Sequence, residues 1–290
     1  MLQKGILSET KLPAKAFQDQ WDKIFVPDET KTRLLCQGLL EYTLRGQFSS
    51  TSVPLHGIIL LAGPPGTGKT SLARGLANRI AQSLNGSFRF VEIDPHSLAS
   101  SSLGRSQQAV RDLLQKTVSE LASQGPLIVL LDEVETLATD RRRLSLDANP
   151  IDVHRATDAV LTGVDLLAAQ HPHLLFIATT NFHDAVDEAL LSRADHVEWF
   201  GKPDEFACTA ILRDTLDVLA SRWHALSKLA KHPRFQAAVG ECVGLDAREI
   251  RKAVIAACAF STETALNPGL LTIDDLLRSV RQVKTKRESK

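Results

Sequence analysis

"GIILLAGPPGTGKTSL", residues 57–72, decides the fold. An apolar run, Ile58–Ala62, passes straight into a glycine-rich turn and then into "SLARGLANRIAQSL", whose apolar positions recur at helical spacing. Strand, turn and helix in that order form the context in which GxxxxGK[ST] cradles phosphate. Gly63, Gly66 and Gly68 let the backbone close tightly, so successive N–H groups and the helix N-terminus face negative charge. Pro64, Pro65, Thr67 and Ser71 complete the loop and the first helical turn. Lys69 is expected to reach the β- and γ-phosphates, and the Thr70 hydroxyl to ligate a metal ion. The ligand this predicts is ATP with Mg²⁺.

Outward from that stretch, apolar runs at Phe88–Ile93, Leu127–Leu131, Leu174–Ala178 and His196–Phe200 alternate with helical patterns. Such alternation predicts an α/β fold, a parallel sheet with helices on both faces. The clearest helix runs from about Ser106 to Leu121, with Val110, Leu113, Leu114, Thr117 and Leu121 on one stripe. From Pro203 the character changes to helical patterns separated by turns, with no convincing strand. The expected organisation is an N-terminal extension over 1–30, a large α/β domain over 31–202 and a small all-α lid over 203–290. The charged tail "KTKRESK" is expected to fray.

"LIVLLDEVE" is a buried strand that delivers Asp132 and Glu133 at its C-terminal end, the edge where open α/β sheets bind ligands. Asp132 suits the Mg²⁺ shell, and Glu133 suits orienting a water for attack on the γ-phosphate. Paired carboxylates there point to hydrolysis rather than binding alone. Glu135 reads as a structural or interface charge rather than a third catalytic group. "LLFIATTN" ends in Asn181, a polar group at a third strand end where it would meet the γ-phosphate and the attacking water.

Bulk composition excludes several classes. Lys+Arg and Asp+Glu are 34 each, so no net field favours nucleic acid or an anionic membrane. The best candidate for a basic patch is "DRRRL", Asp140–Leu144, a loop that reads more readily as a solvated or interface feature than as a nucleic-acid contact. Cys36, Cys208, Cys242 and Cys258 lack zinc or redox spacing and read as small core hydrophobes in a reducing compartment. No apolar run reaches the length of a signal peptide or membrane span, so a cytoplasmic location is expected.

These motifs resemble an AAA+ ATPase, with Walker A at 63–70, Walker B at 127–133 and a sensor 1 asparagine at Asn181. The strings "GPPGTGKTSL", "EIDPHSL", "LLDEVETL", "RATDAVLTGVD", "SRAD" and "GLDAREIRK" resemble, in order and spacing, the pachytene checkpoint protein family of remodellers, also called thyroid-receptor-interacting protein 13. The resemblance runs from about Leu12 to Val283. It implies a five-stranded AAA+ sheet with a helical lid, and a homohexameric ring that uses ATP to open or disassemble closed HORMA-domain complexes. Bacterial relatives do this beside cyclic-oligonucleotide antiphage systems, and the short stretch ahead of the motor matches that bacterial type.

The resemblance also carries roles over. Arg193 in "LLSRAD" stands where an arginine finger reaches the neighbouring subunit's γ-phosphate; pairing with Asp195 or Asp187 in its own subunit is the alternative. Arg248 matches the sensor 2 arginine, near a helix start that Asp246 would cap, with Arg251 a competitor one turn on. "WDKIFVPD" is expected to hold adenine through the backbone near Ile24 and Phe25. The departure lies in the pore loop, where relatives carry a lysine-tryptophan-phenylalanine run and this chain has Ser101, Ser102 and Leu103. Without the aromatic, contact per loop drops by about 1–3 kcal/mol. Three accounts stay open: Leu103 with the Arg105 stem forms a reduced grip, a second loop at Arg141–Asn149 grips instead, or domain motion alone does the work. Two other functions stay open as well, a DNA-linked loader or transposition helper using "DRRRL", and a nucleotide-switched scaffold without turnover.

Overall fold

The structure, a computed structural model, describes every residue except 1–4, 49–51, 96–97, 99–104, 139–149 and 289–290. Its chain divides into two compact units. Met1–Ile24, Asp28–Gly63 and Lys69–Phe200 form the first; Phe25–Pro27, Pro64–Gly68 and Gly201–Lys290 form the second.

The first unit contains, in order, β1 (Ile6–Leu12), α1 (Lys15–Asp22), α2 (Asp28–Arg45), β2 (Ile58–Ala62), α3 (Lys69–Ser83), β3 (Phe88–Ile93), α4 (Arg105–Asp112), α5 (Ser119–Ser123), β4 (Leu127–Leu131), α6 (Pro150–Gln170), β5 (Leu174–Thr180), α7 (Glu188–Leu191) and β6 (His196–Trp199). The strands form one sheet in the order β1-β3-β4-β5-β2-β6. β2, β4 and β5 are buried along their whole length, as a sheet covered on both faces requires. Their continuous Ile, Leu and Val runs exist for that reason.

Five strands are parallel, as expected, but the sheet has six. β1 adds to its edge antiparallel to β3, pairing Thr10 with Phe90 and Leu12 with Phe88. Residues 1–30, expected as a mere extension, therefore include an edge strand. Its sequence, ILSETKL, alternates half-buried and exposed positions, the signature of a strand with one wet face. α1 follows and packs on α3, where Trp21 is buried. Gly75 makes that approach possible: a Cβ there would stand 2.9 Å from the Trp21 Cα.

The expected helix over Ser106–Leu121 forms, spanning α4, a π-helical stretch at Leu113–Val118 and α5. The stripe, however, slips. Val110, Leu113 and Leu114 are buried as expected, whereas Val118 and Ala122 take the buried places assigned to Thr117 and Leu121. A π turn inserts one extra residue per turn, which rotates the following side chains by one position.

The second unit is helical throughout its described residues beyond Gly201: α8 (Glu205–Ala220), a 3-10 stretch at His224–Lys231, α9 (Phe235–Cys242), α10 (Ala247–Ala257), α11 (Thr262–Leu266) and α12 (Ile273–Glu288). Leu212, Leu216, Leu226, Val239, Ile250, Val254, Leu276 and Val280 form its core. Asp204 caps α8, and Asp246 with Glu249 closes a capping box at α10, each cap contributing about 1 kcal/mol. In the tail expected to fray, α12 continues to Glu288, and Arg287 donates to the Gly244 carbonyl and the Glu249 carboxylate.

Cys208 and Cys242 are buried, and burial pushes their thiols up to about 11 and about 12, which keeps them unreactive. Cys36 departs from the core reading, since it is exposed on α2. No described helix is long and apolar enough to cross a membrane.

Candidate nucleotide site

Strand order builds the site. β2 lies beside β5, and β5 beside β4, so three C-terminal strand ends emerge together. Ala62 is level with Thr180 and Leu131 with Ala178, which brings the residues that follow, Gly63, Asn181 and Asp132, to one edge. Gly63 N donates to the Thr180 carbonyl at 3.2 Å. A side chain at Gly63 is excluded, for its Cβ would stand 2.2 Å from the Phe200 carbonyl oxygen.

Within the first unit, Lys69 is the centre. Its buried ammonium donates to the Gly63 carbonyl at 2.7 Å and to Asn181 Oδ1 at 2.9 Å. Asn181 in turn donates through Nδ2 to Glu133 Oε1 at 3.1 Å. The amide thus spans a cation and a carboxylate, and its two ends can sit only one way round. Thr70 Oγ1 donates to Asp132 Oδ1 at 2.8 Å. With the proton committed to Asp132, the lone pairs of that hydroxyl are left to face a cation.

Glu133 holds a left-handed backbone, φ 53° and ψ 54°, which costs an L-residue about 1–2 kcal/mol. Thr179 fixes it there. Its hydroxyl donates to Asp132 Oδ1 and accepts from the Glu133 N–H at 3.1 Å, so one side chain orients both acids. Glu135 accepts from the Asn181 N–H at 3.1 Å.

The loop tip, Pro64–Gly68, groups with the second unit. Gly66 and Gly68 have φ of +81° and +90°, conformations that L side chains rarely adopt and that turn backbone N–H groups inward. A Cβ at Gly66 would also meet the Asp246 carboxylate at 2.4 Å. Thr67 closes the turn, its hydroxyl donating to the Pro64 carbonyl at 3.0 Å. Pro65 lies in the same turn, and Ser71 in the first turn of α3. Within the first unit, the Thr70–Asp132 pair and the placed Lys69 fit phosphate with a metal ion. Among the described residues no group of three or more His, Cys, Asp or Glu forms a metal site of another kind.

Arg248 is exposed on α10 of the second unit. Its competitor Arg251 is tied down, donating to Asp214 at 2.6 Å and Thr215 at 3.3 Å. Ile24 and Phe25 are half-buried, Phe25 packing on the helical core of the second unit. Arg193 pairs with neither Asp195 nor Asp187. It makes a two-pronged fork with Asp165, Nε to Oδ1 at 2.7 Å and Nη2 to Oδ2 at 2.8 Å. Asp195 instead accepts from the N–H groups of His56 and Ile58, and Asp187 caps α7. Sequence reasoning missed Thr179 and Asp165. The paired threonines of "LLFIATT" were the available signal for the first, and none existed for the second.

Ser101, Ser102 and Leu103, the loop Arg141–Asn149 and the basic patch Asp140–Leu144 lie outside the described residues, while Arg105 opens α4.

Residues 59–202 match the model of the ATPase family associated with various cellular activities (AAA). The chain is 51% identical over 287 residues to CD-NTase-associated protein 6 of Pseudomonas aeruginosa, covering 99% of this chain and 94% of that one. It is 34% identical over 226 residues to the pachytene checkpoint protein 2 homolog of Arabidopsis thaliana, covering 76% of this chain and 48% of that one. It thus spans about half the length of that plant relative. A structure titled E. coli MS115-1 HORMA:CdnC:Trip13 complex contains the same fold, with a TM-score of 0.72 at 20% identity over 96% of this chain and 95% of the other. The chain belongs to the AAA ATPase family, in the group that joins the pachytene checkpoint proteins to CD-NTase-associated protein 6.

Proposed function

We propose that this ATPase spends ATP, with Mg²⁺, on opening or disassembling the closed complex of a HORMA-domain protein, as a homohexameric ring in bacterial antiphage signalling. The observation that carries the chemistry is the Asn181 amide between Lys69 and Glu133, beside the Thr70–Asp132 pair. The partner reading is supported by the 51% identity to CD-NTase-associated protein 6 and by the fold shared with a HORMA:CdnC:Trip13 complex.

The loop N–H groups of 63–70 and the Lys69 ammonium hold the β- and γ-phosphates of ATP. Thr70 and Asp132 would hold Mg²⁺, which when bound would supply positive charge to the phosphates. Glu133, aimed by Asn181, accepts the proton of a water whose oxygen attacks the γ-phosphorus, and the β–γ bridging oxygen departs with ADP. Arg193 supplies positive charge to the neighbouring subunit's γ-phosphate, and Arg248 reports the phosphate to the lid.

Glu133→Gln keeps the shape but cannot take the proton. Turnover should fall by at least about 100-fold, while ATP still binds and the ring stays bound to its partner. Unchanged phosphate release in that variant overturns the mechanism. Wild-type turnover should rise with an added HORMA protein and not with duplex DNA; the reverse pattern overturns the partner.

A further inference from the structure

Arg193 has five N–H donors, and three hydrogen bonds engage them within the subunit: two to Asp165 and one, from Nη1, to the Ala189 carbonyl at 2.7 Å. Two donors on the terminal nitrogens remain without a partner among the described residues. The Nε/Nη2 edge is the one that Asp165 grips, so the guanidinium plane is fixed while its outer end stays available for a second acid. Both side chains line a cleft of about 300 Å³ together with His56.

Each jaw of this clamp is anchored. Asp165 lies on α6, and Arg45 from α2 donates to the carbonyls at the end of that helix and beyond, Ala168, His171 and Leu174. The Arg193 segment is pinned two residues on, where Asp195 accepts from the His56 and Ile58 N–H groups at 3.0 and 2.8 Å, tying it to the start of β2. The His56 imidazole stands between the acids, 3.7 Å from Asp165 and 4.0 Å from Asp195. A carboxylate serving only to neutralise a surface arginine would need none of this bracing.

We propose that Asp165 is a positioning residue for Arg193, holding the guanidinium so that its two remaining donors face the nucleotide of a second copy of this chain. The proposal rests on the finger reading of Arg193. A finger on a free side chain must be ordered in every turnover, whereas a clamped one is ordered beforehand, and small misplacements of such groups cost about 10²-fold in rate.

The test is a double-mutant cycle on the full chain, read as kcat and KM for ATP with nucleotide binding measured alongside. Arg193→Ala should lower kcat by at least about 100-fold; if it does not, the finger reading fails. Asp165→Ala should lower kcat by about ten-fold or more, leaving KM and nucleotide binding unchanged, and should cost nothing further in the Arg193→Ala background. Asp165→Asn, which keeps the shape and one acceptor, should fall between Asp165→Ala and wild type. Equal further loss in the Arg193→Ala background would mean that Asp165 acts elsewhere. A rise in kcat on losing Asp165 would mean that it restrains the finger rather than aims it. Either result overturns the proposal while leaving the finger standing.

Discussion

At the scale of single residues, the motif carboxylates and Lys69 were legible because phosphate chemistry leaves few alternatives at that spacing. What holds them was not. Thr179 is one of two adjacent threonines on a buried strand, and only the register against β4 shows which of them meets Asp132. Glu41 is a residue no motif announced. It is 1% exposed on α2, accepts from Gln37, and has one carboxylate oxygen without a partner among the described residues. Burial, with Asp195 adding to it, pushes its carboxyl up to about 7, against the opposing pull of Gln37 and Arg45. The folded protein therefore binds a proton that the unfolded chain releases near 4.5, so this residue's contribution is fully present below about 4.5 and is lost as pH rises through about 7. The loss is on the order of 3 kcal/mol. Glu41→Gln should flatten that slope and raise the melting temperature at pH 8 by several degrees, checked by thermal melts across pH. An unchanged profile would show that Glu41 titrates alike in both states.

At the scale of elements, the buried parallel strands could be read directly, since few other elements place four or five consecutive β-branched and aliphatic residues between turns. β1 escaped because an edge strand shows only half an apolar face, and seven residues of polar alternation look like a tail. The π turn escaped because nothing in a periodic apolar pattern marks where one residue is added. Gly75 shows how such packing is written in the sequence. A glycine in the middle of α3 sacrifices about 1 kcal/mol of helix propensity, yet alanine there would push its Cβ to 2.8–2.9 Å from Trp21 Cβ and Cα. Backbone cannot swing aside as a side-chain tip can. Gly75→Ala should therefore destabilise the protein by about 1–3 kcal/mol despite the propensity gain, read as a lower urea midpoint, and a stabilised variant would refute the close contact.

At the scale of the whole molecule, the proposed mechanism divides the work between copies: the groups around Lys69 act on their own nucleotide, and the clamped Arg193 acts on that of a neighbour. Turnover per subunit at saturating ATP should accordingly fall on dilution, with nucleotide binding unaffected; turnover independent of protein concentration would contradict a finger acting between copies. Molecular scale also bears on how the chain reaches this state. β1 is made first, but Leu12 must wait for Phe88 before it has a partner. By then β2 has been synthesised, and the parallel strands pair among themselves in the order β3-β4-β5-β2-β6. β1 therefore pairs across a long loop, whose closure costs entropy before the edge contact can form. Weakening β1 should speed unfolding more than it slows folding, so the edge strand Ile6–Leu12 sets how long the finished fold lasts rather than how fast it is assembled.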